Sequence, residues 1–234
     1  MVLRLLVMGV RAFLPINTFT IWPLLVAAAP ALLSAQQTTQ GRLMFKGHAV
    51  EVIAADATPD GIEPSGPAKL CVVGTSRCFT APKHDPQFGF SPKAEVVQIN
   101  DTQQAVLFTA VASASGSGTL TLLVLLDLRN GNWVNLLPDE AITNQGEYKM
   151  WRESRVSTAA LFVVADFVWG EGETHFAEHR FKVTTYTFGA NTRSYYLRDR
   201  YVTSGKYSSL DDVDEVDVLS HEKSEIVRRL LRQK

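Results

Sequence analysis

The chain has 234 residues, 46% of them apolar, and its formal charge sums to only −1. That composition excludes a disordered or fibrous protein, and it supplies no basic surplus for a nucleic-acid partner. It fits a globular chain long enough to bury a sizeable core.

Between Arg11 and Arg42 there is no charged residue. Arg4 and Arg11 precede an apolar stretch, Ile21–Leu33, and small residues follow, so residues 1–35 read as a secretory signal peptide cleaved after Ala31 or Ala35. The alternative is an uncleaved N-terminal anchor, against which Pro15, Pro23 and Pro30 weigh by interrupting a helix. Cleavage after Ala35 removes two arginines and no acid, which takes the charge from −1 to −3. Residues 36–234 then form a single β-rich exported domain, periplasmic or secreted, touching a membrane only if the leader stays attached.

The mature chain opens with a strand over Arg42–Ala55 and a Pro/Gly-rich loop over residues 56–69. That loop lacks the alternating acidic spacing of a calcium site. Cys71 and Cys78 are the only cysteines, and in an oxidising compartment an isolated pair is a disulfide. A two-residue turn at Gly74-Thr75 sets the two directly opposite each other across a hairpin. A second proline-punctuated loop covers residues 81–92. Ala94–Asn100 alternates as a short strand, and Gln104–Ala112 and Thr119–Leu128 read as two strongly apolar strands. Arg129-Asn-Gly-Asn132 is a hairpin turn, because Asn-Gly tolerates the positive φ angles such turns demand. Tyr148 and Trp151 mark packing aromatics in a less regular stretch.

From Ala159 to Tyr201, β-branched and aromatic runs separated by Gly and Asn corners predict a three-strand antiparallel meander. Asp166 lies within one apolar run and requires a hydrogen-bond or ion-pair partner. Leu123–Asp127 and Phe162–Asp166 echo each other weakly at an offset of 39. In the tail, acids lead and bases trail, which suits a C-terminal helix over residues 211–232 with hydroxyl capping at Ser208-Ser209 and a weak point near Ser220. The fold expectation is mainly β: an antiparallel sandwich or barrel-like sheet with one disulfide-linked hairpin and a C-terminal α-helix.

Chemistry-bearing residues gather in Glu171-Gly-Glu-Thr-His175-Phe-Ala-Glu178-His179. His175, Glu178 and His179 match the H-x-x-E-H spacing, which resembles the inverted zincins. That resemblance implies two zinc-binding histidines, a later glutamate such as Glu215 or Glu222, and Glu178 activating water. The mechanism needs a helix to bring both histidines to one face, whereas this run reads as strand. With period two, Glu171, Glu173, His175 and His179 share a face, so His175, His179 and Glu173 are the candidate ligands for zinc or copper. The competing reading makes His179 a satisfied histidine at the margin of the core. No complete catalytic set is visible. The leading expectation is a non-enzymatic binding module for an unknown protein or small-molecule ligand. The alternatives are a metal-binding protein or metal-dependent hydrolase, and an inhibitor of an extracellular hydrolase using the loops at 56–69 or 81–92.

Overall fold

Apart from the strand Ala141–Asn144, which pairs with Leu120–Arg129, strands pair in the order of the chain. A computed structural model describes residues 39–83, 87–113, 120–144, 146–174, 177–208 and 217–233. The predicted leader and residues 211–216 of the predicted helix lie outside them.

Three antiparallel sheets form in succession. The first joins β1 (Thr39–Phe45), β2 (His48–Ile53), β3 (Lys69–Val72) and β4 (Cys78–Thr80) in chain order. The second orders β5 (Phe90–Gln98), β6 (Gln104–Val111), β7 (Leu120–Arg129) and β8 (Asn132–Asn135), with β9 (Ala141–Asn144) sharing one edge of β7 with β8. The third joins β10 (Glu147–Trp151), β11 (Leu161–Val168), β12 (Arg180–Gly189) and β13 (Ser194–Val202). One helix, α1 (Val218–Arg232), ends the described chain.

The sheets stack face to face as a layered sandwich. Val106, Phe108, Leu122, Val124 and Leu126 pack against the first sheet through Phe45, Val50, Val52 and Leu70. The alternate residues Leu107, Leu123 and Leu125 pack against Phe162, Val164 and Tyr186 of the third sheet. A sheet buried on both faces needs apolar side chains at every position, which is why β6 and β7 read as unbroken apolar runs. Leu161, Val163, Phe181 and Val183 face the other way, onto Leu219, Ile226 and Leu230 of α1. The helix therefore covers the outer face of the last sheet, and each large side chain buried there contributes about 1.5–3 kcal/mol. Among the described residues no helix is long and apolar enough to cross a membrane.

Several local expectations shift in detail. The predicted strand over Arg42–Ala55 is a hairpin, turned at Lys46-Gly47 with φ of 49° and 78°. Cys71 and Cys78 are disulfide-bonded and directly opposite, as their spacing predicts. The turn between them is displaced by one residue, however. Thr75 N–H donates to Val72 O, so Val73-Gly74 are the central pair and Gly74 carries φ +74 at the second position. Asn130-Gly131 forms the predicted turn, with both φ positive. Helix α1 begins at Val218 and runs unbroken past Ser220. Its start is capped from a distance: Glu147 on β10 accepts from Leu219 N–H at 2.7 Å, supplying an anion where the first turn has no acid. The two echoed segments are not equivalent, since β7 is third in its sheet and β11 second.

Candidate functional site

The Glu173–His179 corner joins β11 to β12. The meander is present, but β12 begins at Arg180 and the connection runs from 169 to 179, longer than the tight corner predicted. Asp166 consequently pairs with Lys182, not with Arg180 or residues 174–176. Its carboxylate accepts from Lys182 Nζ at 2.9 Å and from Asn144 N–H at 2.9 Å, the internal partners its burial requires.

Glu171 and Glu173 stand on a turn, so strand parity does not govern them. Gly170 allows this turn to close, because a Cβ there would lie 2.6 Å from Glu173 Cδ, and Gly172 adopts φ +73. Glu173 Oε2 accepts from Gly170 N–H at 2.8 Å and lies 3.0 Å from His179 Nδ1, while Oε1 accepts from Lys206 Nζ at 2.6 Å. Lys206, then the Gly170 N–H, hold the Glu173 carboxyl down to about 2. His179 is fully buried. Its Nε2 lies 2.9 Å from Thr174 O, and its ring stacks on Phe167 at 4.4 Å and meets Trp169 edge-on at 5.1 Å. Both ring nitrogens are engaged, so a metal would have to displace a hydrogen bond to reach either one. His175 lies outside the described residues. Among those described, no three His, Cys, Asp or Glu side chains are arranged to hold a metal.

The corner is tied to the helix. His179 N–H donates to Tyr207 O, and Tyr207 N–H returns a bond to His179 O. Glu222, nearly buried on α1, accepts from Tyr207 OH at 2.5 Å and from Tyr201 OH at 2.8 Å. Burial, with that carboxylate second, pushes the Tyr207 phenol up to about 12 and the Tyr201 phenol higher still. Glu222 therefore serves as an acceptor for two hydroxyls. Glu215 lies outside the described residues.

The opposite end of the stack carries a cleft that the sequence reading missed. Meander topology puts the turns β1/β2, β5/β6, β7/β8, β10/β11 and β12/β13 at this end. Contacts between sheets confirm their alignment. Lys46 and Arg129 both bind the fully buried Asp127, Arg129 donates to Arg193 O, and Arg152 pairs with Asp101 at 2.6 Å. Burial alone would raise the Asp127 carboxyl, but Lys46 and Arg129 outweigh it and hold it low. The cleft has a volume of about 580 Å³ and is lined by Lys46 of the first sheet, Gln98 and residues 100–104 of the second, and Phe188, Ala190 and Arg193 of the third. The signal for it was weak in the sequence, because it consists of carboxamides and single cations scattered over three turns.

Comparison with family models, with curated protein sequences and with solved structures finds no match to this chain.

Proposed function

We propose that this chain is an exported, non-enzymatic binding module of the periplasm or cell exterior. The observation that carries the reading is the cleft, to which turns from three separate sheets each contribute a wall. Turns held on a rigid stack of sheets are where binding groups are placed most economically, since they vary without disturbing the core. The leader, with its two arginines ahead of an uncharged apolar stretch, and the single disulfide support export into an oxidising compartment. Engagement of His179 and Glu173 by internal partners supports a structural part for that corner. Elemental analysis of protein exported from a host and purified without chelator tests the reading, together with N-terminal sequencing of the product. The expected result is a new N-terminus near residue 36 and no stoichiometric metal. One equivalent of zinc or copper, lost in a His175→Ala/His179→Ala double variant, would replace this reading with a metal-binding one.

A second reading, an inhibitor of an extracellular hydrolase, draws support from the loop between β2 and β3. Thr58 N–H donates to Glu63 O, Ser65 N–H to Asp56 O, and Thr58 Oγ1 to Asp60, which fixes the loop while Ile62 stands 59% exposed at its tip. Slowed turnover of a secreted hydrolase, relieved by Ile62→Asp, would favour it over the cleft.

A further inference from the structure

The cleft's chemistry narrows its ligand, an inference that rests on the binding-module reading above. We infer that the cleft takes an acidic saccharide, with the carboxylate on Arg193 and the sugar hydroxyls on the side-chain amides of Gln98, Asn100, Gln103 and Gln104.

Arg193 is placed for this. It adopts φ +52, a left-handed conformation that arginine rarely takes, and its backbone is pinned at both ends. Its N–H donates to Gly189 O at 2.8 Å, and its carbonyl accepts from Arg129. The side chain is exposed at the cleft and has no ion-pair partner among the described residues. A free guanidinium on a fixed backbone offers the planar fork that matches a carboxylate. The surroundings are electropositive as well. Lys46, Arg129, Arg152 and Arg193 gather at this end against Asp101 and Asp127.

The amides define the rest of the ligand. Gln104 Nε2 donates to Gln98 Oε1 at 3.0 Å, Gln98 Nε2 donates to Asn100 O, and Asn100 Oδ1 accepts from Thr102 N–H at 3.0 Å. This network fixes the wall before any ligand arrives. Within it, Gln103 Nε2 is buried and has no hydrogen-bond partner among the described residues. An unpaired buried donor carries its desolvation cost uncompensated, and rotation of the Gln103 side chain toward the cleft would let a ligand oxygen relieve it. Side-chain amides both donate and accept, as sugar hydroxyls do, whereas a phosphate presents mainly charged acceptor oxygens. The amide oxygens and the Asp101 carboxylate on the wall would repel a phosphate dianion but accept from hydroxyls. A volume of about 580 Å³ lies within the range of small-molecule sites.

Titration calorimetry on the full exported chain tests the assignment with trigalacturonate, its neutral galactose trimer, inorganic phosphate and acetyl-diglycine carboxylate. Trigalacturonate is expected to bind at least tenfold more tightly than each of the others. Arg193→Asn, chosen because asparagine tolerates the left-handed backbone, should lose about tenfold or more of that affinity. If that variant fails to fold, Gln103→Leu is measured in its place and should show a loss of the same sense. No binding of trigalacturonate, equal binding of phosphate or the peptide carboxylate, or affinity unchanged in the folded variants would overturn the assignment. The two readings fail differently. Cleavage of the bound trimer would overturn the non-enzymatic function and leave the cleft assignment standing. Absence of binding without metal would do the reverse.

Discussion

The two ends of the sheet stack use polar side chains in opposite ways. At the β11–β12 corner, Glu173 and His179 direct their polar atoms at partners within the chain, and His179 is fully buried. At the cleft, Arg193 is unpaired and Gln103 Nε2 lacks a partner among the described residues. The corner contains the residue types that attract notice in a sequence, and the cleft contains types that do not. Reactive residue types are therefore a poor guide here, and unfilled hydrogen-bonding capacity is a better one.

Substitution at the corner should break the comparison most severely. Removing His179 deletes a buried ring stacked on Phe167 and strands the acceptors around it. We expect His179→Ala to cost about 4 kcal/mol. Arg193→Asn at the cleft should stay within about 0.5 kcal/mol, as exposed substitutions do. Chemical denaturation of both variants checks the pair. A cost below about 1 kcal/mol at His179 would mean the corner is not a structural element.

Glu222→Ala comes next. It leaves the Tyr201 and Tyr207 hydroxyls without their acceptor against the helix, and about 3 kcal/mol should be lost. Because Tyr207 also bridges to His179, this variant should couple to His179→Ala in a double-mutant cycle. Strict additivity would show that helix and corner are independent.

The sequence made the corner and the helix partly legible for physical reasons. Cysteine spacing fixed the hairpin register at Cys71 and Cys78 even though the turn formed one residue earlier. The reason is that Val72 N–H still donates to Arg77 O, so the bend at Val73-Gly74 lies inside a four-residue loop over residues 73–76 that keeps the same register. Asn130-Gly131 was legible because few dipeptides accept two positive φ values. Lys46-Gly47 does the same job without a sequence signature, since lysine rarely adopts positive φ. The length of the 169–179 connection was invisible, and with it the partner of Asp166. The cap of α1 has no local signature, because Glu147, which accepts from Leu219 N–H, lies far away in the chain. The cleft depends on three turns brought together by stacking, a relation that no local pattern encodes.

Acidity should act on the corner through Glu173, while at the cleft end it acts on Asp127, which Lys46 and Arg129 hold low, and not on the amide wall itself. The Glu173 carboxyl is held at about 2, below the unfolded value of about 4.3. A lowered carboxyl stabilises the fold fully above about pH 4.3, and that contribution is lost as the pH falls through about 2. Amide exchange at Gly170 and His179 should therefore accelerate across this window relative to the intrinsic rate. Amides in the cleft wall at Ile99 and Asn100 should not respond. An equal response in that wall would place the acid sensitivity elsewhere.

The smallest expected effect is the most telling. Gln103→Leu replaces a buried amide nitrogen that has no partner by apolar atoms of similar size. If that nitrogen is merely unsatisfied, the variant should gain about 0.5–1 kcal/mol, because the desolvation cost disappears while the backbone bonds from Ile99 and Asn100 to Gln103 O remain. If the nitrogen is kept for a ligand, the same variant should lose affinity for trigalacturonate while gaining stability. Opposite signs in the two measurements are what a binding group held at a cost to the fold produces. Loss of stability and of affinity together would make Gln103 an ordinary packing residue. It would also remove the clearest difference between the two ends.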